Sequence, residues 1–146
     1  MEAGPGRSRL PRQSGPRAHR AAEAVAREFH RALVSGDPDA MARCLADSIV
    51  WTVGGKSAAA GALRGAERVT VMLQLRRASV RGALRRRVSR VFSTRSGAVI
   101  LSRVTGRRSW RSLRTDEILV LTIRRGLVTR VRESAEDQYG WDNFWS

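Results

Sequence analysis

The chain has 146 residues, enough for one domain with its own core and too few for two. Its single cysteine, Cys44, excludes an internal disulfide and a cysteine metal cluster. The formal charge of +15 invites a nucleic-acid reading, yet every basic residue except Lys56 is arginine. A GC-rich coding bias replaces lysine by arginine everywhere, whereas phosphate binding has no reason to exclude lysine, so nucleic acid is not the expected partner. No apolar run approaches about eighteen residues, so neither a membrane helix nor a secretory signal is expected and a cytoplasmic setting is the default.

Residues 1–20 hold three of the four prolines and five arginines, with Leu10 as the only large aliphatic side chain after Met1. Such a stretch buries too little to offset its ordering entropy, so a disordered basic arm is expected there and one domain over 21–146. From Ala21 the period is helical: Ala22, Val25, Ala26, Phe29, Ala32 and Leu33 share one face, Glu23, Arg27, Glu28 and Arg31 another. Gly36 suits a helix C-terminus, and Asp37-Pro38 supplies the N-cap and first position of a short second helix ending near Ala46. SIVWTVGG reads as a buried strand, residues 56–63 as a loop, and Ala66–Arg77 as a third helix with Val69, Met72 and Leu73 inward. RRRVSRVFST, GAVILSRVTG, SWRSLRTDEILVLTIRR and LVTRVRESA are then four strands joined by short turns, hence antiparallel neighbours. In the closing stretch Trp141, Phe144 and Trp145 share one face of a helical turn that Asp137 can cap.

Parity within the last two strands points to chemistry. In the long strand Leu113, Thr115, Glu117, Leu119, Leu121 and Ile123 form the more apolar side, which directs Glu117 inward. In the final strand Leu127, Thr129, Val131 and Glu133 share a face, so Glu133 is expected inward as well. Two carboxylates in one apolar cavity should have raised pKa values, as acid–base work near neutral pH requires. The competing expectation is that each is simply paired with an arginine.

Other signals carry less. GGKS at 54–57 lacks the leading glycine of a phosphate loop, since Val50 stands there. His30 is expected on the first helix beside Phe29 as a boundary residue rather than a metal ligand or base, and Cys44 has no activating partner. The run Arg76, Arg77, Arg81, Arg85, Arg86, Arg87 and Arg90 is expected to be a solvated face, or one that steers an anionic substrate. No metal and no cofactor are expected.

AREFHRALVSGDPDAMARCLADSIVWTVGG, ALRGAERV and RRGLVTRVRESAEDQYGWDNFW together resemble the nuclear transport factor 2-like superfamily, and within it the SnoaL-like branch of polyketide cyclases and ketosteroid isomerase relatives, over 21–146. The resemblance implies an α+β fold of the cystatin-like type, a cone of curved antiparallel sheet wrapped around three helices in the order α-α-β-α-β-β-β-β plus a short C-terminal helix. It also implies an apolar pocket for a small apolar molecule and a homodimer formed through the outer sheet face, with Ile118, Val120 and Trp110 as contacts. The positions at which limonene-epoxide-hydrolase relatives hold their water align with Val50, Thr52, Arg103, Thr105 and Glu133. Only the arginine and one carboxylate survive, which sets epoxide opening aside. The acid usual in SnoaL-like cyclases falls at Leu119, and Glu117 is the nearest carboxylate on that face. The implied site has Glu117 and Glu133 as catalytic groups, with Trp51, Val53, Met72, Arg103, Leu119 and Trp141 against the substrate. The implied activity is a cofactor-free isomerisation or cyclisation of a polyketide- or steroid-like carbonyl compound. A non-catalytic binding or protein-interaction module of the same fold is the alternative.

Overall fold

The computed structural model describes residues 15–81 and 83–146, so the first fourteen residues of the arm expected over 1–20 lie outside the described residues, while the rest of it is helical from Pro16. Helix α1 spans Pro16–Ser35 and begins before the expected Ala21, because Gly15 and Pro16 make a favourable N-cap and first position. His19 in this early turn meets Ser93 Oγ at 2.5 Å, so the segment has a tertiary partner. Gly36 ends α1 at φ +68°, and the Asp37 carboxylate accepts from the N–H groups of Asp39 and Ala40 to start α2, Pro38–Cys44.

The strands are β1 (Leu45–Val53), β2 (Gly61–Arg64), β3 (Arg85–Ser93), β4 (Gly97–Arg108), β5 (Arg111–Arg124) and β6 (Leu127–Ala135), with α3 (Ala66–Ser79) after β2 and α4 (Gln138–Trp145) at the end. β2 corrects the loop expected over 56–63: four mostly exposed residues pair with Val50–Val53, too short a segment to show alternation. One curved sheet results, in the order β2-β1-β6-β5-β4-β3, antiparallel throughout except where β1 lies parallel to β6. The β5–β6 turn has φ +53° at Arg125 and +76° at Gly126, the pairing of a tight two-residue hairpin.

The expected face of β5 is observed, with Leu113, Thr115, Glu117, Leu119 and Leu121 buried. In β6 the expectation fails at one end. Thr122 faces Arg130 while Ile123 faces Val128, so Thr129 is an extra residue that shifts the parity. Val128 is therefore buried and Leu127 exposed, while Val131 and Glu133 keep their inward places.

Two apolar clusters form. The larger, under α1 and α3, contains Phe29, Ile49, Trp51, Ile100, Leu119 and Leu121. The second holds Val80, Val104 and Leu113 against Trp141, Phe144 and Trp145 of α4. Asp137 caps α4 through the Gly140 N–H, and the GGKS segment clasps it, the Lys56 N–H donating to Asp142 Oδ2 at 3.0 Å.

Candidate functional site

Buried charge joins the two clusters. Glu133 (2% exposed) projects inward from β6 and accepts from Trp51 Nε1 at 2.7 Å and from Arg76 Nη1 at 3.0 Å to each oxygen. The Arg76 guanidinium stands 5.4 Å from the Trp145 ring centroid, so Trp51, Glu133, Arg76 and Trp145 form one chain from the first core to the second. Glu117 (0% exposed) accepts from both Nε and Nη2 of Arg86, at 3.0 and 3.2 Å, a two-pronged fork. Complete burial pushes the Glu117 carboxyl above its ordinary range; Arg86 opposes this and Glu133 adds to it.

His30 is buried rather than at a boundary, with Nε2 3.4 Å from Ser102 Oγ. Burial, and then the charge of Arg86, hold its pKa below the usual histidine value. Arg76 and Arg86 are the residues that sequence reasoning left on a solvated face. Their signal was present: Val69, Leu73 and Arg76 follow helical spacing, and Arg86 shares strand parity with Val88.

A cavity of about 650 Å³ opens between the end of α1, α2, α3 and the start of β3. Ala32, Leu33, Met41, Leu73, Val80 and Leu84 give its apolar wall; Arg76, Arg77, Arg85, Arg86, Arg87 and Arg103 give its charge. Of the expected lining residues only Arg103 bounds it. Trp51, Val53 and Leu119 lie within the first core, Met72 packs against that core, and Trp141 belongs to the second. Arg103 reaches the rim from the outer sheet face, where its Nε donates to Asp116 Oδ1 at 2.5 Å. Val50, Thr52 and Thr105 also have outward parity, since their neighbours Trp51, Val53 and Val104 are the buried ones. Four of the five positions of the epoxide-hydrolase correspondence thus lie on the outward parity, and only Glu133 points inward.

A family model described as a SnoaL-like domain matches residues 26–131. The chain belongs to the SnoaL-like domain family. An uncharacterised protein of Mycobacterium tuberculosis is 28% identical over 123 residues, 84% of this chain and 94% of its own. The structure of Bal32a, from a soil-derived mobile gene cassette, superposes with a TM-score of 0.83 at 23% identity, covering 88% of this chain and 98% of that one. A candidate SnoaL-like polyketide cyclase from Jannaschia sp. CCS1 gives a TM-score of 0.75 at 13% identity over 93% and 98%. At these identities the two structures bear on the fold alone, which is the nuclear transport factor 2-like, cystatin-like architecture.

Proposed function

We propose that the protein binds a small, largely apolar carbonyl compound of polyketide or steroid type in this cavity, and isomerises or cyclises it by cofactor-free acid–base chemistry with Glu117 as base. The observation that carries this is the Arg86–Glu117 pair: a fully buried carboxylate joined to a guanidinium that lines the cavity. A carbonyl oxygen entering from the α1–α3 side meets Arg86 first. As the guanidinium turns to that oxygen it releases Glu117, whose affinity for a proton burial has already raised. Glu117 then takes a proton from the carbon beside the carbonyl. The C–H bond breaks, an O–H bond forms on Glu117, and the electron pair moves to the oxygen, held by Arg86 as an enolate. Return of the proton to another carbon completes an isomerisation; attack of the enolate carbon on a second carbonyl closes a ring. Glu133, held by Trp51, holds Arg76 at the cavity wall through its hydrogen bonds.

Deuterium exchange into the α-carbon of a cyclic ketone series, followed by NMR, tests the proposal. Wild type should accelerate exchange and Glu117→Gln should lose at least about a hundredfold of that rate, the usual scale for a general base, with binding retained. The second reading, a non-catalytic binding module, is favoured by the full pairing of both carboxylates. Binding without exchange in wild type would decide for it.

A homodimer through the outer sheet face belongs to the same proposal. Val99 faces Val120 and Leu101 faces Ile118 there, a half-buried apolar strip across β4 and β5.

A further inference from the structure

The cavity holds more positive charge than its carboxylates offset. Arg76, Arg86 and Arg103 are paired with Glu133, Glu117 and Asp116. Arg77, Arg85 and Arg87 make no ion pair among the described residues, and the one lining carboxylate, Asp37, is engaged by the backbone of α2. Coding bias accounts for arginine in place of lysine. It does not account for gathering guanidinium groups around one concavity, where their mutual repulsion works against folding.

A second observation lies deeper. Arg76 serves Glu133 through Nη1 alone, and its Nε and Nη2 are buried with no acceptor among the described residues. Arg86, by contrast, spends its Nε and Nη2 on Glu117. The Nε–Nη2 edge of a guanidinium is a fork that matches two oxygens of a planar or tetrahedral anion. In a residue 9% exposed, an idle fork is a cost that an acceptor carried by a bound molecule would remove. The Trp145 ring backs the guanidinium and limits its freedom to turn away.

We infer that the cavity takes an organic oxyanion, its carboxylate or phosphate oxygens received by the Nε–Nη2 edge of Arg76 and its apolar body resting on Leu33, Met41 and Leu73. Arg77, Arg85 and Arg87 supply attraction from the rim. The inference rests on the small-molecule reading above and adds the charge of the ligand to it. A carbonyl compound bearing such a group would be anchored at Arg76 while its carbonyl meets Arg86.

Calorimetric titration of the full chain with octanoate, octyl phosphate and octanol tests this. At least one anion should bind roughly tenfold tighter than octanol, and the margin should shrink as salt rises. The double variant Arg76→Gln/Glu133→Gln, which neutralises the buried pair together, should lose the margin and keep octanol binding. The triple variant Arg77→Gln/Arg85→Gln/Arg87→Gln changes only exposed side chains and should reduce the anion margin severalfold. Preference for octanoate assigns a carboxylate, and preference for octyl phosphate a phosphate. Octanol binding as tightly as both anions, or a margin intact in both variants, overturns the oxyanion site and leaves the cavity reading standing. Absence of binding by all three overturns both.

Discussion

Glu117 and His30 meet in the interior around Arg86, and the two respond oppositely to pH. Glu117 binds its proton more tightly in the folded chain than in the unfolded one, because burial disfavours its charge. Between its ordinary value of 4.5 and its raised folded value the native state holds more protons, so its contribution to stability falls as pH rises through that window. His30 has the opposite sign. Its folded pKa lies below 6.5, so the unfolded state takes up protons first and stability falls as pH drops below that value. His30→Gln should therefore flatten the loss of melting temperature between neutral pH and mild acid, measured by thermal unfolding across that range. An unchanged slope would show that another group governs it. The inward direction of Glu117 and Glu133 was readable from period two alone. Their partners were not, because in a chain so rich in arginine a buried one has the same local context as a solvated one.

Among the elements, α4 contributes most for its length. Burying Trp141, Phe144 and Trp145 stabilises by roughly 5–9 kcal/mol before ordering costs. β4 is shaped to receive the helix: a Cβ on Gly106 would stand 2.7 Å from Leu84 Cδ1 and 3.3 Å from Phe144 Cζ. Its far end is held where Arg108 Nη1 donates to the carbonyl oxygens of Phe144 and Ser146. A chain ending at Asp137 should be insoluble or unfold far below the full chain. Phe144→Ala should cost about 3–5 kcal/mol in denaturant titration; normal stability in both would show that the helix only rests on the cone. The helix was legible because three aromatics at i, i+3 and i+4 follow a capping aspartate. The Thr129 bulge was not, since an inserted residue leaves the local alternation of β6 intact and shows only against its partner strand. β2 was missed for a related reason: its place comes from pairing with β1, and its own small residues carry no pattern.

At the scale of the whole molecule, the sheet separates two environments. Its inner face carries the paired carboxylates and the cavity; its outer face carries the Val99, Leu101, Ile118 and Val120 strip among exposed arginines. Trp110, at the β4–β5 turn and 82% exposed, stacks with Arg111. If two copies associate through that strip, Val120→Lys should convert a dimer to a monomer by light scattering while costing the monomer no more than about 1 kcal/mol of unfolding free energy in denaturant titration. A wild type that is monomeric at micromolar concentration would remove the dimer. No described helix is long and apolar enough to cross a membrane. The inner and outer faces were legible from parity, but the cavity was not, because it lies where five separate elements converge.

The chain of contacts from Trp51 through Glu133 and Arg76 to Trp145 has an optical consequence. Both indoles sit against the same ion pair, one as hydrogen-bond donor and the other as the face beneath the guanidinium. Any event that displaces Arg76 changes the electric field at two of the four tryptophans at once. Displacement of Arg76 should therefore change the protein's intrinsic tryptophan emission, with no label to attach.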